Sequence, residues 1–193
     1  MILIPAVIKE TSAGYERCSI QDMLFQNREI ECVGPITSGL VQALILQLKY
    51  LQKEDKYKEI TMYVNSCGGS VTEGLALYDA MQAITCPIRT VCIGQAASMG
   101  AAIFASGSIR EILPHARVMI HDPLISRGVS GTALKIERTA EDLMKIREIM
   151  GKILAKHTGR KLSEIYKRTA QDSYFTATEA VEFGLADRVI RTI

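Results

Sequence analysis

The chain has 193 residues, enough for one domain that buries roughly 70% of the surface its unfolded form exposes. Apolar residues make up 48% of it, with no Trp and four Phe, which predicts an aliphatic core. A formal net charge of +2 gives no footprint for nucleic acid or acidic membranes. No run approaches the roughly 18 apolar residues of a membrane span.

Residues 1–27 start apolar and turn polar through Glu10-Thr11-Ser12-Ala13-Gly14; this part is expected to be mobile or docked on a neighbour. Met1 to Ile8 is too short for a signal peptide and lacks its basic flank. Glu29 to Val33 alternates like a strand and stops at Gly34-Pro35. Ile36, Leu40, Val41, Leu44, Ile45 and Leu48 then follow helical spacing up to Gln52. Ile60 to Val64 reads as a second strand, Leu75 to Met81 as a second helix ending near Cys86-Pro87, and Ile88 to Gly94 as a third strand. A helix from Ser98 to about Ser106 completes three strand–helix alternations, which argue for parallel strands and βαβ crossovers.

Arg110 to Leu113 and Arg117 to Ile120 read as short strands, and Asp122 to Gly131 as polar and irregular. Thr132 to His157 is the longest helical segment, with Glu141/Lys145 and Glu148/Lys152 spaced as i,i+4 pairs. Its length predicts that it projects and packs on another subunit. A short helix covers Leu162 to Lys167, and Gln171-Asp172-Ser173 reads as a turn. Thr176-Ala177-Thr178-Glu179 fits a capping box for a last helix, closed by Gly184, and Val189-Ile190 ends as a strand.

Two stretches carry chemistry. In Val91 to Ala102, an apolar run ends at Gly94 and Ser98 sits where a buried helix should begin. Ser98 is either an ordinary N-cap or a nucleophile whose neighbour Met99 offers half of an oxyanion hole. In Asn65-Ser66-Cys67-Gly68-Gly69-Ser70 the paired glycines serve either a tight βα turn or a close backbone approach, Gly68 N–H being the second oxyanion donor. No lysine follows them as a P-loop requires, and they are not G-x-G-x-x-G, so no phosphate site is expected.

A serine nucleophile needs a base. His157 at a helix C-terminus reads as a structural cation, and His115 as an exposed turn residue. His121 ends an apolar strand where open α/β sheets place their sites, so it is the preferred base. Asp122 would point to the opposite face from its neighbour if the strand continued. Asp172, before Tyr174-Phe175, is the better orienting carboxylate, although an Asp in a turn is usually local chemistry. The five cysteines (Cys18, Cys32, Cys67, Cys86, Cys92) form no C-x-x-C pair, which predicts reduced thiols in a cytosolic protein.

Leu3-Ile4-Pro5, Tyr63-Val64-Asn65-Ser66-x-Gly68-Gly69-Ser70, Gly94-Gln95-Ala96-Ala97-Ser98-Met99-Gly100-Ala101, Val118-Met119-Ile120-His121-x-Pro123-Leu124 and Glu179-Ala180-x-x-Phe183-Gly184-Leu185-Ala186-Asp187 occur in order over essentially the whole chain. Together they resemble the ClpP family, the peptidase of ATP-dependent Clp proteases. The resemblance implies an α/β crotonase/ClpP-like fold of repeated ββα-type units, as one domain over residues 1–193. Residues 1–27 would be an axial segment, and residues 122–158 a protruding handle region. It implies a cytoplasmic serine endopeptidase with Ser98, His121 and Asp172 as triad and the Gly68 and Met99 amides as oxyanion hole.

The implied partners are further copies in two stacked heptameric rings, possibly mixed with a paralogue, a Clp-family ATPase unfoldase that uses the ATP, and unfolded polypeptides. Neither nucleic acid nor membrane is implied. Two rivals remain: a weakly active paralogue of mixed rings, and a crotonase-type acyl-CoA enzyme. The chain departs from the family at Cys67, where proline is usual, and at Ala170-Gln171, where an acid and an arginine are common. It also departs in a shorter Gly107 to Leu113 and a longer Ile125 to Gly128. Cys67 is either a small filler or a thiol that gates the oxyanion loop when oxidised. Tyr63 is either a core aromatic or part of an apolar pit for unfoldase docking.

Overall fold

Helix caps and hydrophobic spacing place most elements where the sequence indicates. The computed structural model describes residues 6–12, 14–125 and 128–193. The expectations for Met1 to Pro5, Ala13 and Ser126-Arg127 lie outside them.

The Thr37 hydroxyl caps α2 (Ser38–Glu54), whose Val41, Leu44, Leu48 and Leu51 form one buried stripe. Ser70 likewise caps α3 (Val71–Ala83). The capping box at Thr176 and Glu179 opens the helix Ala177–Phe183, and Gly184 ends it in the left-handed region. Strands β3 (Glu29–Val33), β4 (Ile60–Ser66), β5 (Ile88–Ala97), β6 (Ile109–Ile112) and a short last strand (Arg188–Val189) run parallel in that order. Beyond residue 94, β5 changes neighbour: Gln95–Ala97 pair with β7 (Arg117–Ile120), which also pairs antiparallel with β8 (Ser173–Phe175). The seven-residue α4 (Met99–Ala105) leaves the end of β5 and is wholly buried.

The helix α5 (Ala133–Thr158) buries only Gly151, Ile153 and Leu154, all in its C-terminal half. Its first four turns bury no residue. The short α6 (Leu162–Thr169) follows it. No helix among the described residues is long and apolar enough to cross a membrane. All five cysteines are free, and burial pushes the Cys32 and Cys92 thiols up to about 12.

The structure departs from expectation in several places. The sequence indicated no element before Glu29, yet β1 (Ala6–Thr11) and β2 (Gly14–Ser19) form an antiparallel hairpin, followed by α1 (Ile20–Gln26). Lys145 pairs with Asp142 rather than Glu141, while Glu148 and Lys152 pair as read. Tyr63 is half-buried, near Glu29 and Arg89, so it is not a core aromatic.

Arg28 ties the lower end of the sheet together. It is 5% exposed and donates to the carbonyls of Leu51, Asp55, Lys58 and Glu59, at the C-terminal end of α2 and in the loop beyond. Four carbonyls around one guanidinium tie the end of α2 to the loop that leads into β4.

His157 is also unlike its reading. Burial, with Lys156 and Arg110 nearby, pushes its imidazole down to about 4, so it is neutral rather than a cation, and it lies 3.1 Å from the Tyr78 hydroxyl. The unfolded chain takes up this proton near pH 6.5 and the folded chain only near 4. The unfolded state therefore binds more protons in that window, and stability falls as pH drops through it. The wild-type unfolding midpoint should decline from pH 6.5 to 5, and His157→Gln should flatten that decline. Parallel slopes for the two proteins would remove His157 from the effect.

Candidate active site

Sheet register brings the three proposed catalytic residues to one edge. Ala97 pairs with Met119, and Ile120 pairs with Ser173. Ser98 is the next residue beyond Ala97, His121 the next beyond Ile120, and Asp172 the one before Ser173. All three therefore emerge together at the carboxyl end of β5 and β7, the edge where open α/β sheets hold ligands.

Ser98 is not an ordinary cap. Its hydroxyl makes no capping bond, and its backbone sits at φ 55 and ψ −123. A positive φ outside glycine costs on the order of 1–3 kcal/mol and marks a position that the surrounding structure over-determines. The surroundings do so here: Ser98 N–H donates to Met119 O at 2.8 Å, and the buried α4 anchors the other side. The hydroxyl instead meets His121, Oγ to Nε2 being 2.8 Å. That is the separation a nucleophile and its base would need.

Asp172 stands on the correct side of the ring but is not hydrogen-bonded to it. Its Oδ1 lies 3.9 Å from His121 Nδ1, and its side chain is 60% exposed against 12% for His121. The distance is that of an ion pair, about 1 Å beyond a hydrogen bond. Asp122, the other acid near His121, is committed elsewhere, to Thr169 and Arg147.

The two oxyanion candidates differ in state. Met99 N–H, first in α4, has no acceptor among the described residues, as expected at a helix start. The Met99 side chain lies over Gly74 of α3, where a Cβ would come within 2.1 Å of it, so α3 fixes this residue. Gly68 sits at φ +91, and a Cβ there would lie 2.7 Å from Ser98 Cβ and 3.2 Å from Met99 N. Only glycine leaves that space open. The Gly68 N–H, however, donates to Ser66 Oγ at 3.1 Å, and Ser66 Oγ in turn donates to Gly34 O at 2.6 Å. Ile36 holds the loop from the other side, donating to Gly68 O and accepting from Ser70 N–H.

Sequence reasoning passed over Ser66. Its signal was a hydroxyl two residues before a glycine, able to close a local turn onto the glycine N–H. Cys67, beside it, is exposed, its sulfur 3.9 Å from Gly68 O. His115 is exposed in its turn, and His157 lies in the Tyr78 cluster, so neither joins the site.

A pocket opens next to Ser98, walled by Val71, Met99, Met150 and Leu154, with Asp122 and Arg147 on its polar side. A family model for Clp protease matches residues 12–193, which hold the serine, the histidine, the exposed aspartate and the glycine loop together. The chain belongs to the Clp protease family and is a ClpP-like peptidase.

Proposed function

We propose that the chain is a serine endopeptidase subunit that cleaves unfolded polypeptides delivered by a Clp-family ATPase in the cytosol. The 2.8 Å contact between Ser98 Oγ and His121 Nε2, at a strained strand-to-helix turn, carries this reading. An acyl-CoA enzyme of the crotonase type has no need of that pair.

In this mechanism Ser98 Oγ attacks the scissile carbonyl and His121 Nε2 takes its proton. His121 then returns the proton to the leaving amine, while Asp172 holds Nδ1–H and favours the correct tautomer. Water repeats the sequence on the acyl-enzyme. Met99 N–H and Gly68 N–H receive the tetrahedral oxyanion, and Gly68 N–H turns from Ser66 Oγ or is shared with it. Each such donor is worth about 10²–10³ in rate. No cofactor enters this chemistry, and the ATP belongs to the partner.

The handle supports assembly. Leu134, Ile136, Met144 and Ile149 are exposed along α5, an apolar set that a second copy would cover. Two stacked heptameric rings enclosing a chamber are the assembly we propose. One observation favours a second reading, a weakly active paralogue of mixed rings: Asp172 is open to solvent at 3.9 Å from His121.

A fluorophosphonate probe should label the wild type and leave Ser98→Ala unlabelled; labelling that persists in the variant takes Ser98 out of the role. Gly68→Ala should lower peptide turnover by about 10² or more, because its Cβ fills the space before Met99 N–H. Near-normal turnover in that variant would rule out an oxyanion site there. Native mass and peptidase rate of the chain alone separate the two readings. A full double ring with high turnover is the expected result, and small or inactive species would favour the paralogue.

A further inference from the structure

We propose that Asp122 is a positioning residue, which clamps Thr169 and so sets how closely Asp172 stands to His121. The proposal rests on the Ser98–His121–Asp172 peptidase reading.

Asp122 directly follows His121, and it grips one residue twice. Its N–H donates to Thr169 O at 2.7 Å, and its Oδ1 accepts from Thr169 Oγ1 at 2.5 Å. A main-chain and a side-chain bond to the same partner fix both separation and orientation. Thr169 is buried and is the last residue of α6. Only Ala170 and Gln171 lie between it and Asp172. The Asp172 carboxylate has no hydrogen bond of its own among the described residues, and its nearest charged partner is His121 at 3.9 Å. Its place is therefore set from two sides, by Ser173, which pairs with Ile120 in β8, and by the tether of three residues running back to the clamp.

The clamp also reaches α5. Asp122 Oδ2 accepts from Arg147 Nε at 2.5 Å, and the Arg147 guanidinium stacks 4.0 Å above the Tyr166 ring of α6. Tyr166 lies against Gly151 of α5, where a Cβ would come within 2.7 Å of its ring. With no side chain at Gly151, the two helices close up, and Arg147, Tyr166, Asp122 and Thr169 form one packed unit. Loss of a contact in this unit would let Asp172 shift against His121. A displacement of about 1 Å in such a group changes rates by as much as 10².

The competing role for Asp122 and Arg147 is a plain wall of the pocket beside Ser98. Kinetics distinguish the two. We would assay the full chain with a short fluorogenic peptide for Asp122→Ala, Asp122→Asn and Thr169→Val, each alone and combined with Asp172→Asn. Thr169→Val is isosteric and removes only the hydroxyl donor, so it answers the question even if Asp122→Ala folds poorly.

If Asp122 acts through Asp172, Asp122→Ala and Thr169→Val each lower kcat about tenfold or more with KM within about twofold. Asp122→Asn keeps an acceptor for Thr169 and falls between them and the wild type. Neither substitution slows the Asp172→Asn variant further, because the residue it positions has lost its function. Losses that multiply in the Asp172→Asn background, or that fall on KM, overturn the proposal. A wild type with neither turnover nor phosphonate labelling at Ser98 overturns the peptidase reading instead, and this proposal with it.

Discussion

The main-chain bend at Ser98 is the constraint on which the other features depend. A strand must end, turn through φ 55 and ψ −123, and start a helix within one residue. The strain is on the order of 1–3 kcal/mol. Against it stand the fully buried Met99, Ile103 and Phe104 of α4, each contributing about 1.5–3 kcal/mol by leaving water. Burial of the helix outweighs the strain, and the hydroxyl is left pointing at His121 rather than capping its own helix. Small residues follow from the same demand. Gly68 and Gly74 leave room for Ser98 and Met99.

The site is uneven in its degree of preparation. The serine–histidine contact is formed by interior strands β5 and β7, whose pairing fixes both residues. Asp172 lies on a short tether at the surface, and Gly68 N–H is satisfied by Ser66. Both differences are small on the scale of side-chain motion: a shift of about 1 Å for the carboxylate, and a change of acceptor for one amide. The proposed nucleophile and base are thus prearranged, while the proposed tautomer control and half of the proposed oxyanion hole depend on loops.

Much of this was legible in the sequence, for identifiable reasons. Helices with a buried stripe, such as α2, and those with a capping box at Thr176 and Glu179 announce themselves through period and cap. The hairpin of β1 and β2 did not, since Val7, Ile8 and Tyr15 are exposed and neither face shows an apolar alternation. Gly94 read as the end of a strand but lies within β5, where its missing Cβ admits the Asn65 side chain. β8 is three residues long and exists only through its pairing with β7. His157 read as a helix-end cation because the sequence did not reveal how deeply Tyr78 and Arg110 enclose it. Ser98, His121 and Gly68 were visible as residue types in telling places. The pair of hydrogen bonds between Asp122 and Thr169 was not, since it joins residues 47 positions apart.

The most direct test of the account is a crystal structure of the covalent phosphonate adduct. We expect phosphorus bonded to Ser98 Oγ, with its free oxygen about 2.7–3.1 Å from Met99 N and from Gly68 N. In that state Gly68 N–H has left Ser66 Oγ. An adduct on any other residue, or a phosphonyl oxygen turned to solvent with Gly68 still bound to Ser66, would contradict it.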